Sequence, residues 1–323
     1  MKILITGSNG LLGQKIIYAL LKLTAGQVPI GKCVWPQVSN FTIIATSKGD
    51  NRIIEKKGYI YEALDISDKT QVETVLTKHK PDVVINTAAM TNVDACETLK
   101  EECWKANVTA VQNLVDVISN LKSQISNPHL IHISTDFIFD GEAGPYKEDD
   151  KPNPLSYYAL SKYESEKIVQ ASKIKWAILR TIIVYGIVDN MSRSNIVLWA
   201  KDALAKGQKI NVVDDQFRAP TLAEDLAQGC ILTALKGATG IYNISGKDIM
   251  SILELVYNVA DFWKLDSSIV NPIKSSSLNQ AAKRPPRTGF ILDKAVKELG
   301  YTPYSFVEGL AILDKQLQSK SGS

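Results

Sequence analysis

The stretch Met1-Lys-Ile-Leu-Ile-Thr-Gly-Ser-Asn-Gly-Leu-Leu-Gly13 decides the fold. Ile3 to Ile5 is an apolar run suited to a buried parallel strand. Gly7, Gly10 and Gly13 follow at G-x-x-G-x-x-G spacing, and apolar residues at helical intervals begin at Leu11. Strand, glycine turn and helix in this order make a cradle for phosphate. Gly7 permits the tight turn off the strand, Gly10 lets backbone N–H groups approach a pyrophosphate, and Gly13 lets the helix pack on the strand. The helix N-terminus then presents its partial positive charge to the anion. Asn9, Leu11 and Leu12 lie within the same turn and join Gly7 and Gly10 as candidate cofactor contacts.

The rest of the chain supplies what such a cradle needs. Its 323 residues, 45% of them hydrophobic, suffice for a nucleotide-binding domain with a smaller companion. A formal charge of +3 with dispersed basic residues leaves no footprint for nucleic acid, so a small-molecule partner is expected. Cys33, Cys96, Cys103 and Cys230 are scattered and only three histidines occur, which suggests neither a disulfide framework nor a zinc site. The N-terminal apolar run is cut by Gly7 and Gly10, and no apolar stretch of about 18 residues occurs anywhere. The expectation is a cytoplasmic protein without membrane spans, with a frayed end at Ser319 to Ser323.

Beyond the first helix, expected over Leu11 to Leu23, the segment Gly26 to Asn40 reads as a surface insertion. Strands are expected at Phe41–Ala45, Tyr59–Leu64, Val83–Ala88, Leu130–Ser134 and Trp176–Leu179. A helix opened by a Thr98/Glu101 capping box runs to Leu121, and another spans Ser156 to Ala171. This alternation predicts an α/β fold with a parallel, doubly wound sheet over residues 1–185. Residues 186–323 read mainly as a smaller α/β lobe, with the chain returning to the first domain around 222–245. The lobe has a helix over Ser194–Ala205, strands at Ile210–Val213 and Ile241–Ile244, and capping boxes at Thr221/Glu224, Ser251/Glu254 and Ser305/Glu308.

The fifth strand ends in Ser134-Thr-Asp136, and the helix after the following acidic loop carries Tyr158-x-x-x-Lys162. One helical turn puts phenol and ammonium on one face, where the lysine is expected to lower the tyrosine pKa toward neutrality. Tyr18…Lys22 and Tyr163…Lys167 satisfy the same pattern. Tyr163 lies about 140° around the helix from Tyr158, at roughly 100° per residue, and Tyr18 belongs to another helix, so neither shares a site with it. The position of Tyr158 after a strand ending in hydroxyl residues selects it, because strand C-termini form the ligand crevice of such sheets.

These motifs, with Asn86-Thr-Ala-Ala-Met-Thr-Asn-Val-Asp-Ala-Cys-Glu97, Arg180-Thr-Ile-Ile-Val-Tyr-Gly186, Asp215-Gln-Phe-Arg-Ala-Pro-Thr221 and Lys283-Arg-Pro285, resemble the extended short-chain dehydrogenases. More narrowly, the chain is similar to the dTDP-4-dehydrorhamnose reductase family. The resemblance implies a catalytic triad in which Thr135 bonds the substrate carbonyl, Tyr158 protonates the forming alkoxide, and Lys162 holds the nicotinamide ribose and tunes the tyrosine. It implies that Asp65 and Ile66 lie by the adenine, that Ala88 and Ala89 run along the cofactor, and that Asn107 supports a proton relay. Thr91, Val93, Asp136, Phe137, Ile183, Gln216, Arg218 and Arg284 would face the substrate, the two arginines as bidentate candidates for its diphosphate.

The second strand ends without the acidic residue that commonly accepts the 2′-hydroxyl of NAD, whereas Ser47, Lys48 and Arg52 suit a 2′-phosphate. NADPH is therefore the expected cofactor, with NADH the other candidate. The family pattern has Trp at Ile183, Gly at Arg218 and Tyr at Phe137, which leaves the redox machinery intact and opens the identity of the sugar. A homodimer is a candidate assembly, and some relatives in that family use magnesium at a dimer contact, but no ligand cluster in this sequence supports carrying the metal over. The expected function is NADPH-dependent reduction of a nucleotide-linked 4-keto-6-deoxy sugar, most simply dTDP-4-dehydro-rhamnose, for polysaccharide biosynthesis. Another sugar-nucleotide reductase or epimerase, and a non-catalytic NADP-binding subunit similar to the beta subunit of methionine adenosyltransferase, are the alternatives.

Overall fold

A computed structural model describes residues 1–36, 40–121 and 128–321. Part of the expected surface insertion, residues 37–39, and the end of the frayed terminus, residues 322–323, lie outside them. The chain runs β1 (Lys2–Thr6), α1 (Leu11–Thr24), β2 (Thr42–Ser47), β3 (Ile60–Ala63), α2 (Lys69–His79), β4 (Val83–Asn86), α3 (Val93–Thr98) and α4 (Lys100–Trp104). A π-turn at Lys105–Thr109 leads into α5 (Ala110–Leu121), followed by β5 (His129–Thr135), α6 (Tyr157–Ala171), β6 (Lys175–Thr181), β7 (Val184–Tyr185) and α7 (Ile196–Ala205). Then come β8 (Ile210–Val213), β9 (Phe217–Arg218), β10 (Thr221–Leu222), α8 (Ala223–Lys236), β11 (Gly240–Asn243), β12 (Met250–Ser251), α9 (Ile252–Trp263), β13 (Val270–Ile273) and α10 (Phe306–Ser321).

Seven strands form one sheet in the order β11-β6-β5-β4-β1-β2-β3, every pairing parallel. Alternate residues of β1 serve opposite faces: Ile3 and Ile5 pack with α1 and α8, whereas Leu4 packs with α2, α5 and α6. This is the doubly wound arrangement the sequence predicts. Because all seven strands run one way, Thr6, Ser47, Ala63, Asn86, Thr135 and Thr181 end along one edge. That edge collects the glycine turn, Lys48, Asp65, Ala88, Asp136 and Ile183 from six separate segments. A further core of α7, β8, α9, β13 and α10 gathers around Val197, Leu255, Val259 and Leu310.

Several local expectations change. The Thr98/Glu101 box does not form: Asn92 caps α3, and the Thr98 hydroxyl bonds the Ala95 carbonyl. The Thr221/Glu224 box also fails, since Thr221 bonds the Ile182 carbonyl and Glu224 pairs with Lys15 at 2.7 Å. Thr221 and Glu224 are taken by tertiary partners instead. The boxes at Ser251/Glu254 and Ser305/Glu308 do form. Helix α2, capped by Asp68, escaped the sequence reading. The Gly26–Asn40 insertion is tied down over its described part: Lys32 pairs with Glu308 at 2.6 Å, and Cys33 and Trp35 pack on the α1/α8 core.

Helix α6 is fixed to β6 by one buried ion pair. Arg180 is bidentate to Glu166, at 3.0 and 2.8 Å, and donates to the Glu148 carbonyl at 2.9 Å. Removing one partner strands a buried charge, so Glu166→Ala is expected to lower the unfolding free energy by about 3–5 kcal/mol in denaturant titrations. A loss below about 1 kcal/mol would contradict that role for the pair.

Candidate active site

The glycine turn is sterically specified. Gly7 has φ of +65°, and a Cβ there would sit 2.8 Å from the Ala88 backbone nitrogen, so strand β4 exits against it. A Cβ on Gly13 would meet the Gly7 carbonyl at 2.5 Å, which is the close helix-on-turn packing expected. Gly10 meets only that carbonyl, at 3.2 Å, and as N-cap of α1 provides no side-chain bond. The first turn of α1 thus keeps its backbone donors uncapped by any side chain, which fits an anion bound there. Leu12 packs into the core, and Leu11 lies against Gly186.

Asn9 reaches away from the turn. Its amide donates to the Asp50 carbonyl at 2.8 Å and accepts from the Arg52 backbone at 2.9 Å, which ties the exposed Arg52 beside the glycines. Lys48 does not stand free: it pairs with Asp65 at 2.8 Å. Burial pushes the Asp65 carboxyl up, but Lys48 and two bonds from Ser67 outweigh it and hold the group below its ordinary range. Ser47 ends β2 with its carbonyl bonded to the Leu64 N–H. Ile66 is a core residue, its carbonyl taken by Asn113, while Ala88 and Ala89 are half-buried, Ala88 against Gly7.

Thr135, Tyr158 and Lys162 come together at the end of β5 and the start of α6. Ser156 caps that helix and Glu97 accepts from the Tyr157 N–H at 2.7 Å, so the first turn carrying Tyr158 is held from two sides. The Tyr158 hydroxyl bonds Thr135, and Phe137 meets its ring edge-on at 6.2 Å. Here the structure corrects the expected tuning. Burial pushes the Tyr158 phenol up; the Thr135 bond opposes this, Asp136 adds to it, and Lys162 is not among the causes. The lysine instead donates to the Ile133 carbonyl at 2.7 Å, and burial lowers it to about 8.

Asn107 sits in the π-turn, 1% exposed, and clamps the Met90 backbone from both sides: it accepts from the Met90 N–H at 2.8 Å and donates to the Met90 carbonyl at 3.0 Å. Its amide also reaches the Ser161 hydroxyl at 3.0 Å, and it makes no bond to Lys162.

Arg218 is not available to a diphosphate. It is 1% exposed and donates to the carbonyls of Phe217, Pro285 and Pro286, with its guanidinium over the Phe137 ring. It buttresses the segment around Pro285, because a planar fork satisfies several carbonyls at once. Arg284 is bidentate to Asp94, at 3.1 and 2.6 Å, and partly exposed. Asp136 is buried between the Thr135 and Thr288 hydroxyls, and burial raises its pKa against the opposing pull of Arg218. Thr91 accepts from Arg193 at 3.3 Å, Val93 packs by Tyr158, and Gln216 is buried with its carbonyl bonded to Ile252. Ile183 has φ of +25°, a rare backbone state for a β-branched residue, at the junction of two cores. The two decoy pairs stay apart: Tyr18 bonds Asp189, and Lys167 lies over the Tyr163 ring.

The sequence reading overlooked Asn86 and His132 as site residues, and with them Ser161 and Ser165. Two of these had a signal, a polar residue inside an otherwise apolar buried strand, which needs a partner.

A lysine whose pKa falls from 10.5 to about 8 on folding costs stability wherever the unfolded chain holds the extra proton. The native protein should therefore gain stability as pH rises from about 8 toward 10.5. Lys162→Met is expected to raise the unfolding free energy at pH 7 by about 3 kcal/mol and to flatten that rise, as read by denaturant midpoints. An unchanged pH slope would contradict the buried, charged lysine.

Residues 1–319 match the family described as RmlD substrate binding domain. The dTDP-4-dehydrorhamnose reductase of Aggregatibacter actinomycetemcomitans is 32% identical over 81% of this chain and 90% of its own. The methionine adenosyltransferase 2 subunit beta of Xenopus laevis is also 32% identical, over 70% of this chain and 67% of its own. A crystal structure of a dTDP-4-dehydrorhamnose reductase from Clostridium acetobutylicum superposes with a TM-score of 0.78 at 28% identity, covering 98% of this chain and all of the other. The chain belongs to the RmlD substrate-binding-domain family.

Proposed function

We propose that this protein reduces the 4-keto group of a nucleotide-linked 6-deoxy sugar, most simply dTDP-4-dehydro-rhamnose, with NADPH. The observation that carries the reading is the meeting of Thr135, Tyr158 and Lys162 at the strand edge that also holds the glycine turn.

The uncapped first turn of α1 and the Gly7–Gly13 packing fit a dinucleotide pyrophosphate, with Arg52 and Lys48 flanking the ribose end. A nicotinamide held there would supply the hydride for the carbonyl carbon. Thr135 turns its hydroxyl from Asp136 to the carbonyl oxygen, and Tyr158 gives that oxygen its proton. Lys162, now on the Ile133 carbonyl, would hold the ribose of a bound cofactor, and from there its charge would support the tyrosinate left after proton transfer. Arg284 is the remaining candidate for the substrate diphosphate, by leaving Asp94 for it.

The equal identity to a methionine adenosyltransferase beta subunit favours a second reading, a non-catalytic NADP-binding subunit. NADPH absorbance followed with dTDP-4-keto-6-deoxy sugar separates the two. Turnover with NADPH that falls at least about 10²-fold in Tyr158→Phe is expected for the reductase. Tight NADPH binding without turnover would overturn it in favour of the subunit. In the same assay Arg52→Ala is expected to raise KM for NADPH about tenfold and leave KM for NADH unchanged, and an equal effect on both would remove Arg52 from a 2′-phosphate site.

A further inference from the structure

Lys162 is held from a side that the triad does not explain. Its ammonium donates to the Ile133 carbonyl at 2.7 Å and lies 3.4 Å from Nε2 of His132. Glu166, one turn along α6, is committed to Arg180. From His132 a line of buried side chains crosses three adjacent strands of the sheet. Thr6 on β1 donates to Oδ1 of Asn86 on β4 at 2.6 Å, Nδ2 of Asn86 faces Nδ1 of His132 on β5 at 3.1 Å, and Nε2 of His132 lies 3.0 Å from the Ser165 hydroxyl of α6.

The direction of each bond follows from donor and acceptor inventory. Turning the Asn86 amide round would point its N–H at the Thr6 hydroxyl and leave the hydroxyl hydrogen no acceptor in this line. The amide N–H therefore meets Nδ1, which must be the unprotonated nitrogen. Ser165 donates to the Lys162 carbonyl at 2.7 Å, so its oxygen receives the hydrogen on Nε2. The imidazole is neutral, with one proton, and that proton is on the edge facing the lysine.

We propose that His132 is a positioning residue for Lys162: its Nε2–H edge, oriented through Asn86 and Thr6, offers the lysine head no acceptor and keeps it on the Ile133 carbonyl, ready for transfer to a ribose hydroxyl. The line starts at Thr6, the residue before Gly7, so the catalytic lysine is set in register with the phosphate cradle through side chains as well as through the sheet. Burial dominates the lowered proton affinity of Lys162. Glu166 from α6 and Cys103 from α4 pull it the other way, Tyr158 sits one turn earlier on α6, and His132 from β5 contributes an N–H where an acceptor would favour the charge. Burial and Lys162 in turn push His132 well below its ordinary value. The proposal rests on the reductase reading for its catalytic consequence, and its geometry is testable without turnover.

Only three histidines occur, so long-range ¹H–¹⁵N spectra of the native protein resolve the tautomer directly, with His132 assigned by its loss in His132→Gln. The expected result is a neutral His132 protonated on Nε2 from pH 6 to 9; an Nδ1–H tautomer or an imidazolium at pH 6 would overturn the proposal. Lysine ¹³Cε titration, with Lys162 assigned by Lys162→Met, provides the second reading. In His132→Gln the amide oxygen gives Lys162 an acceptor, so its midpoint should rise by on the order of one unit. An unmoved midpoint would also overturn it. In the reductase assay the alkaline limb of kcat should move with the midpoint while KM for the sugar nucleotide stays constant, and a fixed limb would remove His132 from catalysis. Absence of turnover in the native protein, with both spectra as expected, would sink the reductase reading and leave the placement of Lys162 standing.

Discussion

Everything at the candidate site depends on how closely the turn after β1 approaches the exit of β4. A side chain at Gly7 would collide with the Ala88 backbone, and one at Gly13 would collide with the Gly7 carbonyl. With hydrogen in both places, α1 starts against the sheet edge and leaves its first backbone donors for a ligand. The parallel sheet then aligns the other strand ends with that turn.

Side chains carry the same register. Thr6, Asn86 and His132 sit on neighbouring strands β1, β4 and β5, and their bonds reach Ser165 and Lys162 on α6. Arg180 and Glu166 bind that helix to β6 a turn further on. A buried polar line satisfied at every step fixes one arrangement where an apolar core of equal volume would tolerate several. Burial shifts the titratable groups around it: the Tyr158 phenol is raised, and Lys162 and His132 are lowered.

Much of this was legible in the sequence because the signals were local. Alternating apolar strands and helices, glycines at fixed spacing and a Tyr-x-x-x-Lys pair following a strand rich in hydroxyls are each read from neighbouring segments of the chain. What escaped was decided at long range. Thr221 and Glu224 have the spacing of a capping box but bond Ile182 and Lys15 instead. Arg218 reads as an anion binder until the carbonyls of Phe217, Pro285 and Pro286 surround it. Lys48 meets Asp65 only because β2 and β3 end side by side. Sequence spacing ranks residue types for a role, and tertiary partners decide which of them remain free to take it.

The most direct test is a crystal structure of the chain with NADPH. The account predicts the pyrophosphate on the backbone donors of Leu11 and Leu12, the 2′-phosphate within reach of Arg52, and the Lys162 ammonium moved from the Ile133 carbonyl to the nicotinamide ribose beside Tyr158. A cofactor bound elsewhere, or bound in the cradle with Lys162 still on Ile133 and the nicotinamide away from Tyr158, would contradict it.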